Sequence, residues 1–189
     1  MDYKTKVYVK KTETASWLRD YCFPEKFCDL CSACPDYGKV WSCPPNTPDK
    51  KFLEGYAEAY IIAVQVRYGG DYRRNANTSE ETERIRRESY GRVKKILLEV
   101  LLALEKELPD SLVLAPGRCE QCETCTRAAG LPCIKPERRR YSLTSFGFDF
   151  TKLSKEFFGL ELVWSSTGLP EYNLAIAAIL TGRQLKSEG

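Results

Sequence analysis

Nine cysteines and no histidine constrain this chain more than any other feature of its sequence. Eight of the cysteines form two blocks with the same design: three cysteines separated by two residues each, then a fourth at a greater distance. The first block is Cys28, Cys31, Cys34 and Cys43, and the second is Cys119, Cys122, Cys125 and Cys133. Cys22 is left over. Because the pattern occurs twice, we expect two segments with the same chemical role.

The N-terminal sequence MDYKTKVYVKK has no apolar signal core, and no apolar run approaches the roughly 18 residues that cross a bilayer. We therefore expect a cytoplasmic protein, whose thiols stay reduced. Clustered cysteines in such a protein indicate metal binding more often than disulfides, and an odd number cannot be fully paired within the chain. The absence of histidine excludes mixed Cys/His zinc sites and His-dependent catalytic triads.

A C-x2-C-x2-C run is typical of a cubane iron–sulfur cluster, because one short loop delivers three thiolates to three irons. A fourth, more distant cysteine then closes the site. We predict two [4Fe-4S] clusters bound by the eight cysteines of the two blocks. The fourth cysteine of each block either closes its own cluster or reaches the other one, and the spacing leaves both possibilities open.

Three alternatives stay open for the cysteines. Two zinc sites would also use eight of them, although zinc usually takes two separated pairs, and a triple run places its middle thiolate awkwardly. A single [4Fe-4S] cluster is the second alternative, and disulfides or simple core thiols are the third. We interpret Cys22, near the end of a predicted helix, as a core thiol. Its other possible role is to replace Cys28 as a ligand.

Hydrophobic periodicity predicts an α/β fold for the 189 residues: a small sandwich of a mixed sheet with helices. We expect strands at KTKVYVKK, AYIIAVQVRY, SLVLAPG and LELVWSS. EYNLAIAAILTG could form a strand or a short helix, and Tyr172, Pro170 and Gly182 favour the strand. We expect helices at ETASWLRDYC, TPDKKFLEGYAEA and DFTKLSKEFFG, and a long one from Thr78 to Leu108. Its predicted apolar stripe comprises Ile85, Ser89, Val93, Ile96, Leu97, Val100, Leu101, Leu104 and Leu108.

The length fits a single domain over residues 1–189. Two cysteine-rich loops, 22–45 and 117–136, are expected as insertions on the α/β core, at the ends of its strands. The net charge of only +3 gives no case for a nucleic-acid or membrane partner. The basic stretch from Lys135 to Ser142 is either a docking surface for an acidic redox partner or a solvated turn.

Taken together, CPDYGKVWSCPP, GRCEQCETC, LPC and YSLTSFGFDF resemble a family of predicted metal-binding proteins of unknown function from anaerobic bacteria and archaea. The resemblance covers about residues 28–181. Besides the cysteines it rests on Tyr37, Gly38, Pro44, Pro45, Gly117, Pro132, Ser142, Gly147 and Asp149. Two residues depart from the family pattern. Ile134 stands where the family usually has arginine, and Tyr141 stands where it often has proline. The resemblance implies iron–sulfur binding in the cytoplasm of an anaerobe, and it supplies no reaction.

Three roles are compatible with these observations. Two clusters ligated only by cysteine would transfer electrons, with a redox partner protein as the source or the acceptor of the electron. An enzyme would need a cluster with an open iron that binds a small substrate or sulfide, and Asp36, Tyr37, Tyr141 and Asp149 are candidates for its acid–base chemistry. Each of these four also has a simple structural interpretation as a cap, a turn former or a packed aromatic. A zinc-binding structural module is the third role.

Overall fold

The computed structural model describes residues 2–163, 165 and 168–183. Four strands form one sheet in the order β1-β2-β4-β3, and every strand pair is antiparallel. The strands are β1 (Tyr3–Glu13), β2 (Tyr56–Tyr68), β3 (Leu112–Leu114) and β4 (Tyr172–Arg183). The predicted α/β class is confirmed, but the sheet is antiparallel rather than mixed. The reason is topological: β2 and β3 run parallel, but β4 lies between them, so they never pair.

The helices cover both faces of this sheet. They are α1 (Thr14–Tyr21), α2 (Pro24–Ser32), α3 (Gly70–Asn75), α4 (Ser79–Arg86), α5 (Arg92–Glu107) and α6 (Phe150–Phe158). On one face, α1 and α6 pack on alternate residues of β2 and β4, and the ring of Trp17 stacks on Phe148 with centroids 4.1 Å apart. On the other face, α4 and α5 pack on the intervening residues. Since β2 is buried on both sides, its continuous apolar sequence is explained.

The long helix predicted from Thr78 to Leu108 is present as α4 and α5, joined by one π-helical turn at Arg87–Gly91. Thr78 caps it, since its hydroxyl accepts the backbone N–H of Glu81 at 3.1 Å. The predicted stripe was partly wrong. The buried arc of α5 is Val93, Leu97, Leu98, Leu101 and Leu102. The predicted positions Ile96, Val100, Leu104 and Leu108 are exposed, because the sheet covers a different arc of the helix.

Two further predicted elements differ in the structure. The helix expected to begin at Thr47 and Pro48 is only a short 3-10 turn, Lys50–Phe52, capped by the Asp49 side chain. The strand expected at LELVWSS is absent from its described residues 160–163 and 165, while Trp164 and Ser166 lie outside the described residues. In contrast, β1, β3 and β4 and helices α1 and α6 occur where the sequence predicts them.

Candidate metal centre

The first cysteine block begins on a helix, although the sequence predicted a loop there. Pro24 occupies the first position of α2, where a missing backbone N–H costs nothing. Cys28 and Cys31 are three residues apart on this helix and therefore lie on the same face. A C-x2-C spacing thus fits one helical turn, and the helix holds two thiols side by side.

The rest of the first block follows in a series of tight turns after α2. The backbone N–H of Cys34 donates to the carbonyl of Cys31 at 3.1 Å, and Gly38 adopts a left-handed φ of +68°. The N–H of Gly38 donates to the Pro44 carbonyl at 2.9 Å, which closes the loop back beside Cys43. These bonds bring the distant fourth cysteine towards the first three.

The second block lies in the loop after β3. It contains one 3-10 turn, Thr126–Ala129, which ends at the left-handed Gly130. The Thr126 hydroxyl donates to the Pro132 carbonyl at 2.8 Å and thereby folds the loop back on itself. As a result, one cavity of about 230 Å³ is lined by all four thiol-bearing residues of this block: Cys119, Cys122, Cys125 and Cys133.

Ser42 connects the two blocks. Its side chain is fully buried, and its hydroxyl accepts the backbone N–H of Cys119 at 2.8 Å while lying 3.8 Å from the Cys43 sulfur. Its neighbour Trp41 donates its indole N–H to the Leu131 carbonyl at 3.1 Å. The two blocks, about 80 residues apart in sequence, are therefore neighbours in the fold. Nothing in the sequence around Ser42 signals this role.

Charged groups also fasten the second block. Arg118, one residue before Cys119, forms an ion pair with Asp36 of the first block at 2.7 Å. From the basic stretch, Arg138 pairs with Glu99, and Arg140 pairs with Glu105, both on α5. Both arginines therefore have partners within the chain and anchor the loop to α5. Asp36, a candidate acid–base group, has a structural partner as well.

The segment YSLTSFGFDF packs against the start of α2, the helix that carries the first two cysteines of the first block. Gly147 has a φ of +77°, and a Cβ added there would lie 2.5 Å from the Cα of Pro24, the first residue of α2. The carbonyl of Gly147 accepts the N–H of Phe23 at 2.8 Å. Glycine is therefore required both by the backbone conformation and by the approach of α2.

Asp149 has a structural role at the end of the same segment. Its side chain caps α6 by accepting the backbone N–H of Lys152 at 3.0 Å, and it pairs with Lys26 of α2 at 2.9 Å. Burial raises the pKa of this carboxyl, but the bonds from Lys26 and the Lys152 N–H outweigh it and hold the pKa below its ordinary value. Tyr141, another candidate, packs edge-on against Phe146.

Cys22 lies apart from both blocks. It is 1% exposed, belongs to the core cluster around Trp17, and its thiol donates to the Phe146 carbonyl at 3.1 Å. Burial raises its pKa to about 12. The interpretation as a core thiol agrees with this environment, whereas Cys28 is solvent-exposed on α2.

The thiols of each block influence one another electrostatically. Burial raises the pKa of Cys43 to about 11, with further contributions from Asp36, Cys34 and Cys31. Burial likewise raises the pKa of Cys119, with contributions from the other three cysteines of its own block. The thiols that raise the pKa of Cys43, the fourth cysteine of the first block, and of Cys119, the first cysteine of the second, thus belong in each case to the same block.

The donor set fits a thiolate-bound metal group, because each block offers four cysteines and the chain has no histidine. Within residues 2–163, 165 and 168–183, no three Cys, Asp or Glu side chains already stand in a metal-coordinating arrangement. The thiols would have to converge and lose protons when a metal binds, so binding is expected to be coupled to local folding and to pH.

Fold and site together define an antiparallel α/β protein with its cysteines in two adjacent blocks. The chain belongs to the family described as "Predicted metal-binding protein (DUF2284)", whose model matches residues 17–180. The resemblance to a metal-binding family of unknown function is thereby confirmed. No curated protein and no solved structure matches the chain. None of the described helices is both long and apolar enough to pass through a bilayer.

Proposed function

We propose that this protein binds two [4Fe-4S] clusters, one in each cysteine block, and transfers electrons. The observation that carries the proposal is the second block, whose four cysteines line a single cavity. Four thiolates around one small cavity suit a cubane cluster, as the C-x2-C-x2-C run does. The neighbours of Cys43 support a corresponding assignment for the first block, in which the fourth cysteine serves its own site.

The contacts between the blocks support an electron-transfer role within one domain that spans the chain. Ser42 touches both blocks, and the Arg118–Asp36 ion pair joins them a second time. When bound, clusters ligated only by cysteine supply one-electron transfer. The chain itself joins the two sites through these contacts, and polar donors near the sulfurs, such as the Ser42 hydroxyl beside Cys43, would tune their potentials.

Metal analysis of protein purified without oxygen tests this proposal. We expect a brown protein with about eight irons and about eight sulfides per chain, as two four-iron clusters require. Zinc in a colourless protein would instead support the structural zinc module and refute the cluster assignment.

Single alanine variants then test the ligand assignment. Cys122→Ala and Cys31→Ala should each lose about half of the iron, because each removes one cluster. Cys22→Ala is the matched control: it should unfold more easily, since a buried side chain is truncated, yet retain all of its iron. Loss of iron in Cys22→Ala together with retention in Cys28→Ala would show that Cys22 replaces Cys28.

An iron–sulfur enzyme with an open iron is the second candidate, and one observation favours it. Cys28 is exposed and, with Cys31, lines a cavity of about 410 Å³ that reaches the first block from the solvent side. If Cys28 is not a ligand, Cys28→Ala keeps its full iron content, and the site binds added sulfide with a change in its visible spectrum. A loss of half the iron in this variant would exclude the open site.

A further inference from the structure

The cavity beside the first block is unlike the one around the second. It has a volume of about 410 Å³, within the range of small-molecule sites, whereas the second-block cavity measures about 230 Å³. Much of its wall is apolar and rigid, formed by the side chains of Pro24, Phe27, Pro44, Pro48 and Phe146. Cys28 and Cys31 form another part of this wall, so an occupant would lie against the first metal site.

Three polar side chains at this cavity, those of Lys50, Tyr37 and Thr47, lack partners in the described part of the chain. Lys50 is half-buried at the wall, and no carboxylate or carbonyl there pairs with its ammonium group. The neighbouring Asp49 carboxylate is already directed at the backbone, since it accepts the N–H of Lys51 at 2.8 Å. The Tyr37 hydroxyl is likewise without a partner, and its side chain is 40% exposed.

We propose that this cavity binds a small apolar carboxylate, held by the Lys50 ammonium and the Tyr37 hydroxyl beside Cys28 and Cys31. One cation and one hydroxyl match the two oxygens of a carboxylate, and the proline and phenylalanine side chains match an aliphatic or aromatic body. Inorganic phosphate, in contrast, has no apolar body to pack against the proline and phenylalanine side chains of the wall. The inference depends on the proposed function in one respect only, namely that the metal group bound by Cys28 and Cys31 is an iron–sulfur cluster.

Fluorine NMR with 4-fluorobenzoate as the probe tests the anion site in purified, metal-loaded protein. The line width of the probe reports its affinity. Lys50→Met should weaken binding at least about tenfold, because a charge-assisted hydrogen bond is lost, and Tyr37→Phe should weaken it several-fold. Lys51→Met is the matched control: it removes the same charge from the same 3-10 turn without touching the cavity, and should bind as the parent protein does.

Two further measurements test the class and the position of the ligand. The neutral analogue 4-fluorobenzamide should bind much more weakly, and inorganic phosphate should not displace the benzoate. Reduction of the clusters should broaden the signal of bound probe further, since the probe lies next to a paramagnetic group.

Equal binding by the parent and Lys50→Met, or by the amide and the carboxylate, would overturn the proposal. So would displacement by phosphate, or a line width that does not change upon reduction of iron-loaded protein. If metal analysis finds no iron and sulfide, the cluster proposal fails by itself. The affinities of the parent, Lys50→Met and Lys51→Met then still decide whether the anion site exists.

Discussion

Gly147→Ala is the substitution whose effect can be worked out most directly from the structure. Gly147 has a left-handed φ of +77°, a conformation that costs an L-residue about 1–2 kcal/mol. The new Cβ would also lie 2.5 Å from Cα and 2.8 Å from the nitrogen of Pro24, both backbone atoms that cannot rotate away. Forcing them apart should cost about 1–3 kcal/mol more, as overpacking does.

Gly159 provides the matched control. It also has a left-handed φ, of +65°, but nothing lies within 4 Å of an added Cβ. Gly159→Ala should therefore lower the free energy of unfolding by the conformational cost alone, about 1–2 kcal/mol. Any larger loss in Gly147→Ala measures the clash with the start of α2.

The assay combines urea unfolding with iron analysis of both variants. Because α2 carries Cys28 and Cys31, displacing Pro24 should weaken metal retention at the first block, whereas Gly159→Ala should keep the iron of the parent protein. The reasoning is refuted if Gly147→Ala is no less stable than Gly159→Ala and retains the same iron. That result would mean that the close approach of Gly147 to α2 does not position the first block.

Three further predictions concern the contacts that hold the site. Ser42→Ala removes the buried acceptor of a backbone N–H and should lower the free energy of unfolding by about 1–3 kcal/mol, with faster loss of iron to a chelator. Arg140→Met removes the cation that pairs with Glu105 on α5 and leaves this carboxylate only the backbone N–H of Val113, so it should cost about 1–3 kcal/mol in urea unfolding. Arg138→Met, at a more exposed pair, should leave the urea midpoint nearly unchanged. Equal midpoints for the two arginine variants would contradict this ranking. Since the Asp149 pKa is lowered in the folded protein, its stabilisation is complete above the unfolded carboxyl's pKa of about 4 and disappears as the pH falls through the lower, folded value. Asp149→Asn should therefore be less stable than the parent at pH 7 and approach it at acidic pH, and a constant difference would argue against the bonds to this carboxylate.

The strands were predictable because their signal is local. AYIIAVQVRY is apolar at nearly every position, and a strand buried on both faces requires that. The same holds for Thr78 and Gly159, whose roles at helix ends follow from the preferences of the cap positions. The antiparallel pairing was not predictable in this way, because the insertion of β4 between β2 and β3 depends on the whole chain.

The first cysteine block shows where local reasoning fails. Its Pro, Gly and Asp content suggested a loop throughout, yet Pro24 starts a helix that carries Cys28 and Cys31. Proline is disfavoured inside a helix but well suited to its first position, so composition alone could not separate the two cases. Likewise, the predicted apolar stripe on α5 included positions that are exposed in the structure. Periodicity shows that a helix is amphipathic, but it does not show which arc of the helix its neighbours cover.

The sequence by itself determined which groups this protein's candidate site can offer: thiols without histidine, grouped in two sets of four by short spacings. A spacing of two residues is a local distance, and backbone geometry alone restricts which thiols can share a metal. Only the tertiary structure decided that the two sets are neighbours, that Cys22 is a core thiol and that Lys50 borders a cavity at the first set. These relations depend on contacts between residues far apart in sequence, such as Ser42 and Cys119, and no local pattern encodes them.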